Sequence, residues 1–328
     1  MDAFQDAGAK LKFQPPGSSA PTSTSSGQRL AAIDVGSNAI RLVVGEVDRR
    51  GQIHILKKYR EGVRLGHDVF SGQGEISRKT LQRTIETFVK FRGFLREHGV
   101  KRVRAVATSA LREAKNSTLI IQEIEKHSGV RVEVIDGLEE GLLIFQAISQ
   151  KVILKNRRSV MIDIGGGSVE ISIGEGAKVL ATQSFKLGTV RLLEMLESRK
   201  LKEKHLADAI RQQFAPVRQF LRENLKGKVV DFAIGTGGNF ECLGKLRVAL
   251  LSKTSIYSMS RDELFELTEH LESMSFKERV QFLRLRPDRA DVVVPAALVT
   301  LAIMDCVALE TLLIPHVGLR DGLLNSLR

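Results

Sequence analysis

The chain has 328 residues, of which 43% are hydrophobic, so it is long enough for two packed domains. Fifty Lys and Arg against 38 Asp and Glu give a net charge of +12, a surplus that favours polyanionic partners. Cys242 and Cys306 have no paired spacing, which argues against a disulfide framework and a zinc site. No apolar run approaches the ~20 residues that span a bilayer, and the N-terminus lacks the apolar core of a signal peptide. We therefore expect a cytoplasmic protein without a membrane partner.

The first segment, residues 1–28, is rich in Pro, Ser, Thr and Gly. Such a segment has little to bury, so ordering it would cost entropy without return. We predict a disordered tail that can be deleted without loss of fold or activity.

The first predicted folded element is a hairpin from Leu30 to Val47, which turns at Asp34-Val-Gly-Ser-Asn38. Apolar residues alternate with polar ones beyond the turn, as in a strand with one buried face. A third strand follows over 52–58, and the loop after it carries Arg64. Composition alone is equally consistent with a solvated arginine at that position.

Further along, a strand predicted over 101–107 leads to Thr108, which opens a helix. The first-turn N–H groups of that helix, together with Arg112, could hold an anion; an ordinary solvated arginine is the alternative. After another strand, Glu139 and Glu140 begin the next helix. Acids are favoured in a first turn by the helix dipole, so capping alone could explain this pair.

A second glycine hairpin follows over 159–174. Its strands join at three consecutive glycines, Gly165 to Gly167, where the absence of side chains lets backbone N–H groups turn toward an anion. Ser168 adds a hydroxyl, and Asp163 adds a carboxylate of the kind that hard cations prefer. The combination indicates a site for a metal-bound phosphate.

The two hairpins repeat one pattern. Counted from Asp34 and from Asp163, glycine recurs at offset two, apolar residues at six, eight and ten, glycine at eleven and glutamate at twelve. A strand leading to Thr108 lies 108 − 34 = 74 residues past the first aspartate, and one leading to Thr236 lies 236 − 163 = 73 past the second. This spacing predicts an internal duplication, hence two similar lobes across a cleft. Two unrelated glycine hairpins are the alternative.

In the rest of the chain, we predict helices over about 190–197 and 203–224 and a second glycine loop over 235–239. A buried helix is expected over 292–309, and the segment 318–322 is interpreted as mainly structural.

The segments Asp34-Val-Gly-Ser-Asn, Asp163-Ile-Gly-Gly-Gly-Ser-Val-Glu and Gly235-Thr-Gly-Gly-Asn resemble, in this order, the exopolyphosphatase and guanosine pentaphosphate phosphatase (Ppx/GppA) family. The similarity runs from about Ala31 to the C-terminus. It implies an α/β, duplicated actin-like (ribonuclease-H-like) two-lobe fold with an interdomain cleft. It also implies hydrolysis of terminal phosphates with Mg²⁺, or Mn²⁺ in its place. Val169 stands where the common family form has Thr, which puts one polar contact in doubt.

The resemblance also implies roles for individual residues. Glu140, and not Glu139, would be the general base, Asp163 and Glu170 would bind the metal, and Arg64 would lie near the cleft in a substrate channel. The phosphate-binding set would be Asp34, Gly36, Ser37, Asn38, Ser109, Arg112, Gly165, Gly166, Gly167, Ser168, Gly237 and Gly238.

We expect lobes over 29–142 and 143–328, with the terminal helix able to pack back on the first lobe. The expected substrate is inorganic polyphosphate, with guanosine pentaphosphate as the alternative; nucleic acid is not an expected partner, and a homodimer is compatible with the sequence. An actin-like ATPase or sugar kinase and a non-catalytic polyphosphate sensor are weaker alternatives. No Gly-x-x-x-x-Gly-Lys-Ser/Thr loop is present in the sequence, which argues against a P-loop enzyme.

Overall fold

The structure is a computed structural model that describes residues 27–328. The tail predicted over 1–28 therefore lies outside the described residues except for its last two positions. The second of these, Gln28, is already the first residue of a strand, so the folded part begins slightly earlier than expected.

The first lobe contains a five-stranded sheet in the order β3-β2-β1-β4-β5. Strands β1 to β3 form an antiparallel meander, whereas β4 and β5 continue parallel to β1. The bounds are β1 Gln28–Val35, β2 Ile40–Val47, β3 Ile53–Glu61, β4 Arg102–Ala107 and β5 Val132–Val134.

The second lobe contains a six-stranded sheet in the order β10-β11-β9-β6-β7-β8. Strands β6 to β8 again form an antiparallel meander, β9 and β11 continue parallel to β6, and β10 adds an antiparallel edge. The bounds are β6 Arg158–Ile164, β7 Val169–Glu175, β8 Lys178–Phe185, β9 Phe232–Thr236, β10 Ser258–Ser260 and β11 Thr311–Leu313.

The two sheets share a register as well as a strand order. Asp34 pairs with Arg41 across the first hairpin, and Asp163 pairs with Glu170 at the same place in the second. Thr108 and Thr236 both lie where the parallel strand ends and cap the following helix. The predicted duplicated actin-like α/β fold with two lobes is confirmed.

Helices cover both sheets, and a short 3₁₀ turn over Glu203–His205 precedes α7. The helices of the first part of the chain are α1 Leu65–Phe70, α2 Arg78–Glu97, α3 Ser109–Glu113, α4 Ser117–Ser128 and α5 Gly137–Ser149. Those of the second part are α6 Thr189–Ser198, α7 Leu206–Gln213, α8 Ala215–Leu225, α9 Gly237–Leu251, α10 Arg261–Ser273, α11 Phe276–Gln281, α12 Pro287–Ala290, α13 Val293–Cys306 and α14 Leu319–Asn325.

Each lobe has its own apolar core, and a third core lies between the lobes. This central core contains Ile144 and Phe145 of α5 and Leu323 of α14, packed against residues of both sheets. The boundary proposed at 142/143 falls inside α5, a helix shared by both lobes. Helix α14 packs against α5 and β1, so the end of the chain returns to the first lobe.

Within residues 27–328, no helix combines the length and the apolar character needed to cross a bilayer.

Candidate active site

The cleft between the lobes opens at the carboxyl ends of the central strands of both sheets, the usual place for ligands in open α/β sheets. The two glycine hairpins face each other across it. A methyl group at Gly166 would lie 3.0 Å from Cβ of Ser37 and 3.2 Å from the amide nitrogen of Asn38. The duplication therefore brings two equivalent turns into contact around one space.

The loop from Gly165 to Ser168 is held in place from behind by α6. The amides of Thr189 and Val190 donate to the carbonyls of Gly165 and Gly166, at 3.1 and 2.8 Å. In the described part of the chain, the amides of Gly166 and Gly167 donate to no protein acceptor. Free N–H groups in a rigid turn are suited to binding an anion.

Three carboxylates cluster at the base of the cleft, and those of Glu140 and Glu170 are buried. Asp163 ends β6, Glu170 is its cross-strand partner on β7, and Glu140 comes from the first turn of α5. One oxygen of each lies within 4.8 Å of the others. The cluster exists because the hairpin register places two acids side by side and the α5 N-terminus adds a third.

Neighbouring hydroxyls orient two of these acids. Thr236 Oγ1 donates to Oδ1 of Asp163, and Ser184 Oγ donates to Oε1 of Glu170, each at 2.7 Å. The second oxygen of Glu170, Oε2, is buried without a hydrogen-bond partner among the described residues. A buried carboxylate oxygen left in this way normally has a partner, such as an ion or water.

Burial raises the pKa of all three carboxyl groups, and repulsion by neighbouring carboxylates adds to the shift at Asp163 and Glu140. The pKa of Asp163 rises to about 7, mainly through burial and then through the charge of Glu170. Burial, followed by the charges of Glu170 and Asp163, holds the pKa of Glu140 well above its usual range. Burial also raises the pKa of Glu170, although hydrogen bonds from Ser184 and Ser168 oppose the shift.

Helix capping does not account for Glu140. The cap of α5 is Asp136, whose Oδ1 accepts from the amide of Glu139 at 2.8 Å. Glu139 forms an ion pair with Arg104 at 2.6 Å, whereas Glu140 is buried beside two other carboxylates. The helix dipole favours an acid in this turn, but it gives no reason for placing that acid against two like charges.

Basic residues from both lobes form a wall of the cleft, which we call the basic wall. Arg41 forms an ion pair with Asp34 at 3.1 Å, and Arg289 donates to Oδ1 of Asn239. Burial lowers the pKa of Arg289 to about 10, and it also lowers the pKa of Arg320. The wall comprises Arg41, Lys58, Arg289, His316 and Arg320.

A model of the Ppx/GppA phosphatase family matches residues 43–328 of this chain. The chain belongs to the Ppx/GppA phosphatase family.

Individual relatives and solved structures agree with this membership. Exopolyphosphatase 2 of Mycobacterium tuberculosis is 30% identical over 290 residues, which cover 83% of this chain and 88% of that protein. A guanosine-5'-triphosphate,3'-diphosphate pyrophosphatase of Vibrio vulnificus is 28% identical over 303 residues, 89% of this chain but 58% of that protein. The crystal structure of an exopolyphosphatase from Cytophaga hutchinsonii superposes with a TM-score of 0.82 at 28% identity, covering 92% of this chain and 97% of that one.

Most of the residues that the sequence suggested for this Ppx/GppA site meet in the cleft. Glu140 and Asp163 lie on its floor, and Glu170 lies beside them, behind the cleft wall. Those of the phosphate-binding set that line the cleft are Asp34, Gly36, Ser37, Asn38, Ser109, Gly165, Gly166, Gly167, Ser168, Gly237 and Gly238.

Besides Glu170, two predicted residues lie outside the cleft lining, Arg112 and Arg64. Arg112 sits behind Glu140, with Nη1 2.8 Å from the carbonyl oxygen of Ile135 and 3.4 Å from Oε2 of Glu140. Arg64 pairs with Asp291 at 2.5 Å and donates to Oδ1 of Asn38 at 2.9 Å, so it joins the two lobes.

Val169, the departure from the family pattern, is buried in β7 opposite Ile164 and Phe185. An apolar side chain suits that position.

Sequence reasoning missed the basic wall. The segment 318–322, interpreted as mainly structural, contributes to both regions: Gly318 to Asp321 line the cleft, and Leu319 also packs into the central core with Leu323. Arg41 could have been found, since the hairpin register places it opposite Asp34. Arg289 and Arg320 come from remote segments and carried no local signal.

Proposed function

We propose that this Ppx/GppA protein is a metal-dependent exopolyphosphatase, which releases the terminal orthophosphate of inorganic polyphosphate. The observation that carries the proposal is the position of three clustered carboxylates beside two facing glycine loops. Catalysis of phosphoryl transfer consists largely of positioning and charge neutralisation, and this cleft supplies groups for both.

The base for the attacking water is Glu140. Burial and the neighbouring carboxylates raise its pKa, and a raised pKa makes a carboxylate a stronger base. Arg112, 3.4 Å away, opposes that shift. The terminal phosphate would lie against the free amides of Gly166 and Gly167, with Ser37 and Asn38 on the opposite side.

The acids fit a hard divalent cation. Asp163 and Glu170 offer carboxylate oxygens, the ligands that Mg²⁺ and Mn²⁺ prefer, and Oε2 of Glu170 is a buried oxygen without another partner in the described chain. We assign the metal to these two residues, with Mg²⁺ as the expected ion. When bound, such an ion neutralises charge on the phosphoryl oxygens.

Polyphosphate is favoured over guanosine pentaphosphate by the surface of the cleft. No Phe or Tyr side chain of residues 27–328 lines it, and the imidazole of His316 packs edge-on against Tyr257 at 5.0 Å between ring centroids. A guanine base therefore lacks a clear stacking surface, whereas the basic wall suits a chain of phosphates. The nucleotide remains the second candidate because a relative bears the name of a guanosine pyrophosphatase.

We propose a cytoplasmic location, and a homodimer remains a prediction. A non-catalytic sensor would need no base, and an ATPase or sugar kinase would need an adenosine pocket. The residues of this cleft therefore fit hydrolysis of polyphosphate better than they fit either alternative.

The test is phosphate release measured side by side from long polyphosphate, guanosine pentaphosphate and ATP, each with Mg²⁺, with Mn²⁺ and with chelator. We expect the highest specificity constant for polyphosphate and no turnover in chelator. A higher specificity constant for guanosine pentaphosphate would make the nucleotide the preferred substrate. Full activity in chelator would refute the proposed metal dependence.

A further inference from the structure

A second basic surface lies on the first lobe, at the end of the sheet away from the cleft. Here α2 ends while β4 and β5 begin, and the three elements enclose a groove with a volume of about 420 Å³. Four arginines line it: Arg92, Arg96, Arg104 and Arg131. We call it the α2 groove.

Three of the four arginines have no acidic partner in the described chain. Among residues 27–328, Arg92, Arg96 and Arg131 form no side-chain hydrogen bond and no ion pair. Arg104 is different, because it binds Glu139 at 2.6 Å, Glu133 at 3.5 Å and Ser326 at 3.0 Å. Glu133, the acid that lines the groove, therefore pairs with Arg104 and not with any of the other three arginines.

Local structure does not explain this concentration of charge. Arg92 and Arg96 are four residues apart on α2, where like charges repel. The dipole at the C-terminal end of α2 favours Arg96 in the last turn but not Arg92, and Arg131 lies elsewhere, in the loop between α4 and β5. An anion that bridges the three guanidinium groups would relieve the repulsion, and guanidinium groups bind phosphate oxygens in pairs of parallel hydrogen bonds.

We infer that the α2 groove is a second binding site for polyphosphate, which holds an inner part of the chain while its end is hydrolysed in the cleft. This inference rests on the proposed function. Arg104 is the third residue of β4 and Thr108 directly follows the strand, so the two are four residues or about 13 Å apart along it. Only a chain longer than this can occupy both sites, so the groove should act on long chains and leave short ones unaffected.

The test compares the triple variant R92Q/R96Q/R131Q with the unmodified protein, using long polyphosphate and tripolyphosphate as substrates. Arg104 is left intact because it holds Glu139 next to the proposed base. The matched control is R199Q/K200Q/K204Q, which removes three exposed positive charges that form no ion pair within residues 27–328 and lie in the run before α7. Both variants lower the net charge equally.

For the groove variant, we expect KM for long polyphosphate to rise on the order of tenfold, with kcat and all constants for tripolyphosphate unchanged. The slope of log KM against log salt should fall by about 2, since each lost phosphate contact contributes ~0.7 in a single-stranded polyanion. Equal effects of the two triple variants, or equal losses for both substrates, would overturn the inference.

Direct binding separates this inference from the proposed function. Fluorescence anisotropy with labelled long polyphosphate, on the Glu140→Gln protein with and without the triple substitution, reports on the groove even if no polyphosphate is hydrolysed. Weaker binding in the triple variant supports the groove. A single-stranded RNA that binds the groove more tightly than polyphosphate does would refute it.

Discussion

Asp163 lies within reach of two other carboxylates and away from bulk water, so its ionised form is disfavoured. The pKa of this group rises from 3.8 to about 7 in the folded protein without metal. Thr236 and the charge of Arg41 oppose the shift but do not cancel it. A bound cation would reverse it, because a positive charge stabilises the carboxylate.

A pH dependence of stability follows. Between the unfolded and folded pKa values, the folded state binds more protons at Asp163 than the unfolded state, so this group's contribution to stability decreases as pH rises from about 4 to about 7. Asp163→Asn removes the titration. In chelator, the free energy of unfolding of the unmodified protein minus that of the variant should therefore be smaller at about pH 8 than at about pH 5.

Urea unfolding of both proteins at the two pH values measures this difference. Addition of Mg²⁺ should raise the stability of the unmodified protein more at the higher pH, where Asp163 is ionised, and should have little effect on the variant. A difference that grows with pH in chelator would contradict the assignment of a raised pKa to Asp163.

Some residues of this site could be predicted from the sequence, and others could not. Asp163 and Glu170 were visible because a hairpin turn and a period of two place them side by side. The sequence alone left the role of Glu140 ambiguous, because the dipole of α5 favours an acid in the first turn whether or not that acid is catalytic. Arg289 and Arg320 could not be found, because only tertiary packing brings α12 and the first turn of α14 to the cleft.

At the scale of elements, the contact between α6 and the loop over 165–168 positions the proposed phosphate site. Gly188 precedes α6, and a methyl group there would lie 2.2 Å from the carbonyl carbon of Gly167 and 2.4 Å from the carbonyl oxygen of Gly166. Both are backbone atoms, which cannot move aside as a flexible side chain can. The loop would have to shift relative to the acids.

We therefore predict that Gly188→Ala destabilises the protein by about 1–3 kcal/mol, the usual cost of overpacking, and that it lowers kcat. The control is Gly93→Ala on α2, where a methyl group meets no atom of the described residues within 4 Å. That change should stabilise the helix by about 0.5–1 kcal/mol. Denaturant unfolding and phosphate release on both variants check the pair. A Gly188→Ala protein as stable and active as the unmodified one would show that the loop is not held by α6.

Elements also show where periodicity misleads. One helix was predicted over 203–224, but that stretch contains a 3₁₀ turn, α7 and α8, with a break at Phe214. Pro216 follows the break and lacks the N–H that a continuous helix would need. The hydrophobic spacing runs through the break because α7, Phe214 and α8 all pack on one core.

At the scale of the whole molecule, the lobes are joined on one side of the cleft by a set of polar contacts. His67 on α1 lies 2.7 Å from Glu194 on α6, and Arg191 pairs with Glu113 at 2.6 Å. Arg64 pairs with Asp291 in the same region. These contacts fix the distance between the two glycine loops, so a residue far from the acids can still affect the site.

Two roles for Arg64 can be distinguished by experiment: joining the lobes through Asp291, and contacting substrate in a channel. If Arg64 acts through Asp291, the variants Arg64→Gln and Asp291→Asn should raise KM to a similar extent, and the double variant should be no worse than either, since residues in one pair are not additive. Michaelis constants for tripolyphosphate give the comparison. A severe loss in Arg64→Gln beside a mild one in Asp291→Asn would mean that Arg64 contacts the substrate directly.

The central claim is that the cleft between the duplicated lobes hydrolyses polyphosphate with Glu140 as the base. Its most direct test is the turnover of long polyphosphate by Glu140→Gln beside Glu139→Gln, with binding of the polymer measured on the same preparations. We predict that kcat falls by ~10²- to 10⁴-fold in Glu140→Gln, the usual cost of losing a general base, while binding persists. Glu139→Gln, whose carboxylate is partly exposed and pairs with Arg104, should keep most of its turnover. Phosphate release by Glu140→Gln at the unmodified rate, or an equal loss in both variants, would contradict the account.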